Sequence, residues 1–426
     1  MSRRGPVIGL TPVRGLQPLR SAGILQSPAT TARNRVIRVV ARAGPLLRFD
    51  WILMSAVLAL GVTGVFLVWS ASRPELLQAG ADPQTYLKKQ LLNLLIGLIP
   101  MAALGLLGES RLRAFAPLAY LATLVGLVAV LSPLGTSVNG ASAWISLPGG
   151  FQVEPSEFAK LGLILITARL LSMVDRENGR PSLRAVAGAL ACAAPAIILV
   201  AAEPALGVTM LLGVVLVGLI VLSGTRPRLL AALGAAVALA ALASWRLRLL
   251  KPYQLHRLAS FMHPAADPAG ASYSAAQSKI AVGSGGLLGQ GLFHGQLING
   301  NFIPEQHTDF IFAVAGEELG YLGALTIIVL LGIVIARALL IAARADDLFG
   351  LLVASGIAIW FAAQAFINIG MTVGMVPVTG LPLPLVSYGG SAMIADLLAV
   401  GALQAIRRRP VTRREHPSRN QPVSLT

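Results

Sequence analysis

The sequence predicts an all-α polytopic membrane protein of about ten transmembrane helices, with a long extracytoplasmic loop between helices 7 and 8. Three observations carry this. Hydrophobic residues make up 55% of the 426 residues and charged ones only 12%, against about a quarter charged in soluble proteins. Apolar stretches of the length needed to cross a hydrocarbon core of about 30 Å stand near 49–70, 89–108, 112–132, 157–174, 184–202, 206–223, 229–245, 310–343, 348–371 and 388–406. The charges, finally, gather at the chain ends and in short loops.

Taken in order, residues 1–48 are a basic tail with nine arginines and no acid before Asp50, expected to be disordered and held near anionic lipid. The ten-helix domain spans 49–406, and 407–426 form a second basic tail. Arg111, Arg113, Arg176, Arg180, Arg184, Arg226, Arg228, Arg337 and Arg344 fall on the same side as the tails if the spans alternate. By the positive-inside rule, both termini are cytoplasmic. The net charge of +16 comes without lysine–aromatic interleaving, so no nucleic-acid partner is expected. Cys192, the single cysteine, lies in an apolar run and excludes an intrachain disulfide or a thiolate metal cage.

Four segments depart from plain membrane helix. In the first, 139–160, Pro155 opens a helix with Ser156 and Glu157 in its first turn. Glu157 and Lys160, three apart, share a face just inside the membrane, as a self-neutralising pair or as functional groups. The second is the polar loop 246–309, with Lys251 to Arg257, Phe261 to Pro268, Gln277 to Lys279 and a glycine-rich run over 283–291. That run exposes backbone N–H groups suited to phosphate, but it lacks the Gly-Lys-Ser/Thr ending of a P-loop. The loop closes on His307 and Asp309, readable as metal ligands or as loop hydrogen-bonding groups. The third segment is Glu317-Glu318, two adjacent acids in an apolar run, which must face the protein interior, paired with a base or catalytic. The fourth, 374–391, holds three prolines and four glycines and reads as a re-entrant or tightly packed segment. Ser387 is outside any Gly-x-Ser-x-Gly elbow, which argues against a serine nucleophile. Asp396, in the last helix, is expected to face inward.

Together, in this order, the segments resemble the SEDS family of peptidoglycan polymerases, its RodA branch more than FtsW, over roughly residues 50–407. The resemblance is carried by Gln277-Ser-Lys-Ile-Ala-Val-Gly-Ser-Gly-Gly286, Pro304-Glu-Gln-His-Thr-Asp-Phe-Ile-Phe312, Glu317-Glu-Leu-Gly320 and Pro382-Leu-Pro-Leu-Val-Ser-Tyr-Gly-Gly-Ser391. It implies a ten-helix enzyme that polymerises lipid II into glycan strands during cell elongation. A divalent cation (Mg2+ or Mn2+), a class B penicillin-binding protein and other elongation-machinery membrane proteins are the implied partners.

In such a reaction a sugar hydroxyl displaces a sugar diphosphate with inversion. One carboxylate takes the proton while cations stabilise the leaving pyrophosphate. The resemblance assigns the general base to Asp267, kept extended by Pro268. Lys160, Arg257 and Lys279 are the candidate diphosphate contacts, and the segment holding Ser387 and Tyr388 is a substrate wall. Glu157, His307, Asp309, Glu317 and Glu318 are supporting candidates, with Asp267 and Asp309 as cation ligands. Ala143, Glu154, Ala205 and His263 depart from the family pattern, which has arginine, glutamine, aspartate and an acid there. A lipid-linked precursor flippase and a non-catalytic scaffold for a penicillin-binding protein are the alternatives. The acid retained in the outer loop favours chemistry.

Overall fold

The computed structural model describes residues 49–138, 141–147, 151–174, 180–203, 205–246, 260–262 and 271–407. The helices are α1 (Trp51–Gln78), α2 (Thr85–Leu107), α3 (Glu109–Val130), α4 (Pro155–Leu171), α5 (Leu183–Ala202), α6 (Leu206–Leu222) and α7 (Pro227–Arg246). They continue as α8 (Ala271–Ser284), α9 (Gln296–Asn299), α10 (Ile311–Ala343), α11 (Leu348–Thr372) and α12 (Gly390–Arg407). All but α8 and α9 coincide with the ten predicted spans. Among the described residues, seven helices are long and apolar enough to cross a membrane, while α6 and the first part of α7 are shorter apolar helices. The protein is therefore a multi-pass membrane protein.

Local chemistry sets the helix starts. Asp50 accepts from the Leu53 N–H at 3.2 Å, Ser182 from Ala185 at 3.2 Å and Asp347 from Gly350 at 2.9 Å, each satisfying an otherwise orphaned donor. Pro155 occupies the first turn of α4, where its missing N–H costs nothing. In packing, α4, α11 and α12 form the buried centre, with Trp360 and Phe361 fully enclosed. Outer helices such as α2 and α3 leave Ile99 and Val125 exposed for lipid. Gly401 of α12 lies so near α2 that a Cβ there would be 2.6 Å from the Met101 carbonyl oxygen.

Three features correct the sequence reading. A small antiparallel sheet, β1 (Gly135–Val138), β2 (Ala141–Leu147) and β3 (Phe151–Val153), occupies the loop before α4, pairing Gly135 with Ile145 and Ile145 with Val153. The Asn139-Gly140 pair is a hairpin signal that an all-α reading passes over. The loop 246–309 is in part helical, since α8 takes in Gln277, Lys279 and Gly283. The eighth span is two helices joined across a kink at Gly320 (φ 68°, ψ −166°).

Candidate active site

The centre of the bundle holds an ion pair. Lys160 Nζ donates to Glu157 Oε2 at 2.6 Å and to Gln364 Oε1 at 3.0 Å, and stands 4.8 Å above the Trp360 ring. Trp360 Nε1 donates to the same Gln364 oxygen at 2.7 Å. Glu157 and Lys160 are at most 1% exposed. Of the two readings, self-neutralisation is the one the geometry supports. Lys160 as a diphosphate contact is corrected, because its ammonium is enclosed and directed at Glu157 and Gln364.

From that centre α11 reaches the proline-rich segment. Gln364 Nε2 donates to the Pro382 carbonyl at 2.8 Å. One turn on, Asn368 Nδ2 donates to the carbonyls of Asp309 and Leu381 at 2.8 and 2.7 Å. Ser387 Oγ accepts from the Leu383 N–H at 2.8 Å, and Gln90 Nε2 donates to the Ser387 carbonyl at 3.1 Å. Leu385 has φ 64° and donates its N–H to Asp396 Oδ2 at 2.9 Å, so Asp396 faces inward as expected. The segment is a fixed, tightly packed wall, and Ser387 is corrected from substrate contact to turn closure. Gln364 and Asn368 were missed in the sequence, where two amides one turn apart in an apolar run were the available signal.

Tyr388 stands at the edge of this wall. Its ring is 4.8 Å from Tyr86 and 5.7 Å from His307, Tyr86 and His307 are 4.9 Å apart, and Lys89 Nζ lies 5.7 Å above the Tyr86 ring. Burial lowers the His307 pKa. Partly exposed aromatic faces with a cation beside them suit the apolar faces of sugar rings.

Lys279 is the available cation. It lies exposed on α8 with its chain against Gly374, where a Cβ would be 1.9 Å from Lys279 Cε. Among the described residues its ammonium has no hydrogen-bond or ion-pair partner. Ser278 Oγ donates to the Thr372 carbonyl at 2.8 Å and fixes this turn of α8 to the end of α11. On the same wall, Gly380 faces Asp309, with its Cβ position 3.5 Å from Oδ2.

Two acids stand behind the wall. The Glu154 N–H donates to Ser391 Oγ, and Ser156 Oγ donates to Glu154 Oε1, both at 2.8 Å. Burial, then the Glu157 charge, pushes the Glu154 carboxyl up to about 7. Glu203 is fully buried, neither carboxylate oxygen has a hydrogen-bond partner among the described residues, and burial with the Glu154 charge pushes it up to about 8. Ala205 takes the N-cap position of α6 without a capping side chain, where the family's aspartate would supply an acceptor. Ala143 is buried on β2. The other candidates, Asp267, Arg257 and His263, lie outside the described residues.

Glu317 and Glu318 face the protein interior as expected, but what answers them there is hydrogen-bond donors rather than a base. Glu317 accepts the Leu297 and Ile298 N–H groups at 2.8 and 3.2 Å. Glu318 Oε1 accepts Ser70 Oγ at 2.5 Å and the Phe293 N–H at 3.1 Å. The glycine-rich run closes on the same turn. The N–H groups of Gln290 and Gly291 donate to the Glu317 and Glu318 carbonyls at 2.9 and 3.0 Å, and the Tyr321 N–H to the Gly286 carbonyl at 2.9 Å. A Cβ on Gly289 would fall 2.1 Å from the Glu318 oxygen. The run is therefore a backbone clasp around the Gly320 kink, not a phosphate cradle, and both acids are corrected from catalytic support or basic pairing to fastening.

The profile of a protein family described as cell cycle protein, spanning FtsW, RodA and SpoVE, matches residues 50–411. The peptidoglycan glycosyltransferase MrdB of Escherichia coli K12 is 38% identical over 360 residues, covering 84% of this chain and 93% of that protein. Stage V sporulation protein E of Bacillus subtilis is 37% identical over 362 residues, covering 84% and 97%. Among solved structures, a chain from a peptidoglycan synthase complex matches with a TM-score of 0.70 at 32% identity, covering 84% of this chain and 97% of that one. RodA of Thermus thermophilus matches at 0.61 and 29%, covering 84% and 96%. With the match running from the first span past the last, this chain belongs to the FtsW, RodA and SpoVE family, the SEDS proteins, and is RodA-like.

Proposed function

We propose that this chain is a peptidoglycan glycosyltransferase that polymerises lipid II during cell elongation. The observation that carries the reading is Lys279, an exposed ammonium without a partner among the described residues, on the helix that follows Asp267 in the chain and against the wall that holds Asp309 and Tyr388. A cation so placed is free to take the charge that develops on a departing pyrophosphate. Asp267 is the proposed general base, removing the proton from the attacking sugar hydroxyl. Arg257 is a second proposed diphosphate contact, and Tyr86 and Tyr388 offer faces for the sugars.

A divalent cation is part of the proposal. Among the described residues no three His, Cys, Asp or Glu side chains gather into a metal-binding group. Mg2+ is commonly held by one or two carboxylates plus substrate phosphates, a role that fits Asp267 and Asp309. It would supply charge neutralisation on the diphosphate.

The same reading places the chain in the inner membrane, both termini cytoplasmic, on the strength of its arginine distribution. The peptidoglycan synthase complex among the structural relatives supports a class B penicillin-binding protein as partner, alongside other elongation-machinery membrane proteins. The enclosed Glu157–Lys160 pair counts against the flippase, which needs charges facing an open cavity through the membrane.

Purified protein, with and without a class B penicillin-binding protein, given lipid II and Mg2+ or Mn2+, should yield glycan strands on a gel. Lipid II crossing between the leaflets of vesicles without strand formation would favour the flippase. Neither activity in the presence of the partner would favour the scaffold.

A further inference from the structure

Two ties between α1 and α10 mark depth in this bundle. At one end Arg337 Nε donates to Asp50 Oδ2 at 2.9 Å, and at the other Ser70 Oγ donates to Glu318 Oε1 at 2.5 Å. Asp50 and Ser70 stand about 30 Å apart along α1 at about 1.5 Å per residue, the thickness of a hydrocarbon core. No charged side chain lies between them in the chain, and the exposed Arg73 follows just beyond. The ties therefore lie at the two hydrocarbon boundaries.

The surroundings of α10 change at the second boundary. Ile311 to Glu318 are buried on every face, whereas Tyr321, Leu322, Leu325, Ile328 and Val329 are exposed for lipid. The glycine-rich run joins α10 at the start of that exposed row. The N–H groups of Tyr321 and Leu322 donate to the Gly286 and Leu287 carbonyls at 2.9 and 3.2 Å, and the Gly289 N–H to the Gly285 carbonyl at 2.9 Å. Gly286 and Gly289, at φ 57° and 81°, turn the chain out and back. Leu287 and Leu288 project from the tip between them, 63% and 75% exposed. Leu288 is the most exposed large apolar side chain among the described residues.

A solitary exposed leucine is ordinary on any protein. These two continue the lipid-facing row of α10, one turn to the hydrocarbon side of the Ser70–Glu318 tie. The carbonyls of Gly285, Gly286 and Leu287 are each answered by an N–H group, as backbone entering an apolar medium requires. No charged side chain stands between Lys279 and Glu305. An apolar tip with answered carbonyls, in line with a lipid-facing helix row, suits acyl chains rather than water.

We propose that the Leu287–Leu288 tip is a membrane anchor, inserted among the first acyl-chain methylenes of the surrounding lipid. The site is independent of the glycosyltransferase reading, and its test does not use polymerisation. The full chain would be placed in phosphatidylcholine nanodiscs in which part of the lipid carries a diazirine on an early acyl carbon, then irradiated and its adducts mapped by peptide mass spectrometry. Adducts should appear at 287–288 as well as along 321–329. A second measurement reads depth in a Cys192→Ser background. A fluorophore on Leu288→Cys should be quenched by iodide roughly threefold less than one on Ala79→Cys, which stands at the exposed end of α1. Lipid spin-labelled near its headgroup should quench it as strongly as one on Leu322→Cys. Unfolding temperatures equal to wild type would show that the labelled chains are folded, and the cross-linking uses the unaltered chain. Adducts confined to α10, with Leu288→Cys as open to iodide as Ala79→Cys, would overturn the anchor. Shielding of Leu288→Cys that appears only on adding a second protein, without quenching by lipid, would assign the tip to a protein interface and overturn it equally.

Discussion

The buried centre and the proline-rich wall of this protein both carry ionisable side chains, yet they use them in opposite ways. At the centre, Glu157 and Lys160 are enclosed and joined at 2.6 Å, and at the buried kink of α10 Glu317 and Glu318 accept backbone N–H groups. At the wall, Lys279 is exposed without a partner among the described residues, and behind it neither oxygen of the buried Glu203 has a hydrogen-bond partner among them. An ionisable residue in a membrane segment is a functional candidate by default, and the difference shows how to sort such candidates. Where partners answer the charge, the residue holds the chain together. Where they do not, it is available for a ligand or a proton.

The largest expected effect tests the centre. Lys160→Ala leaves Glu157 uncompensated and should cost about 3–5 kcal/mol, read as thermal unfolding in detergent, while the double replacement Glu157→Gln with Lys160→Met should recover most of it. A single variant as stable as wild type would break the comparison.

Next comes Glu203, where the sign matters. An unperturbed glutamate ionises near 4.5, and in the fold Glu203 does so at about 8. Between those values the unfolded chain sheds a proton that the folded one keeps, so this group makes stability fall as pH rises from about 4.5 to 8. Glu203→Gln should flatten that slope and raise stability at pH 8 more than at pH 5. An unchanged slope would mean that Glu203 is answered after all.

The clasp is third. Gly320→Ala puts a side chain at φ 68° with its Cβ 2.2 Å from the Gly289 nitrogen, which should cost about 1–3 kcal/mol and show as faster hydrogen exchange at Gln290 and Gly291. The smallest stability effect sharpens the other side. Lys279→Ala should move stability by less than about 0.5 kcal/mol while lowering polymerisation about tenfold or more.

The apolar helices were legible because hydrocarbon thickness imposes a run length that composition alone displays. The Glu157–Lys160 pair was legible as neighbours, since three residues along a helix is one face. What those neighbours do was not, because Gln364 and Trp360, which close the pair off, lie about 200 residues away in the chain. Glu317 and Glu318 misled for a related reason. A carboxylate looks for positive charge in a sequence, but in the fold backbone N–H groups of Leu297 and Phe293 serve as well. Glycines over 283–291 suggested a phosphate loop, and only their contact with Gly316 and Gly320 shows that small size serves close packing. The aromatic group of Tyr86, His307 and Tyr388 comes from three distant segments and has no local signature.

The central claim is that the outer loop carries the chemistry, with Asp267 as its base. Its most direct test compares wild type with Asp267→Ala in lipid II polymerisation, with the penicillin-binding partner and a divalent cation present and equal unfolding temperatures confirmed beforehand. The account predicts glycan strands from wild type and none from the variant. Strands of equal yield from both would contradict it.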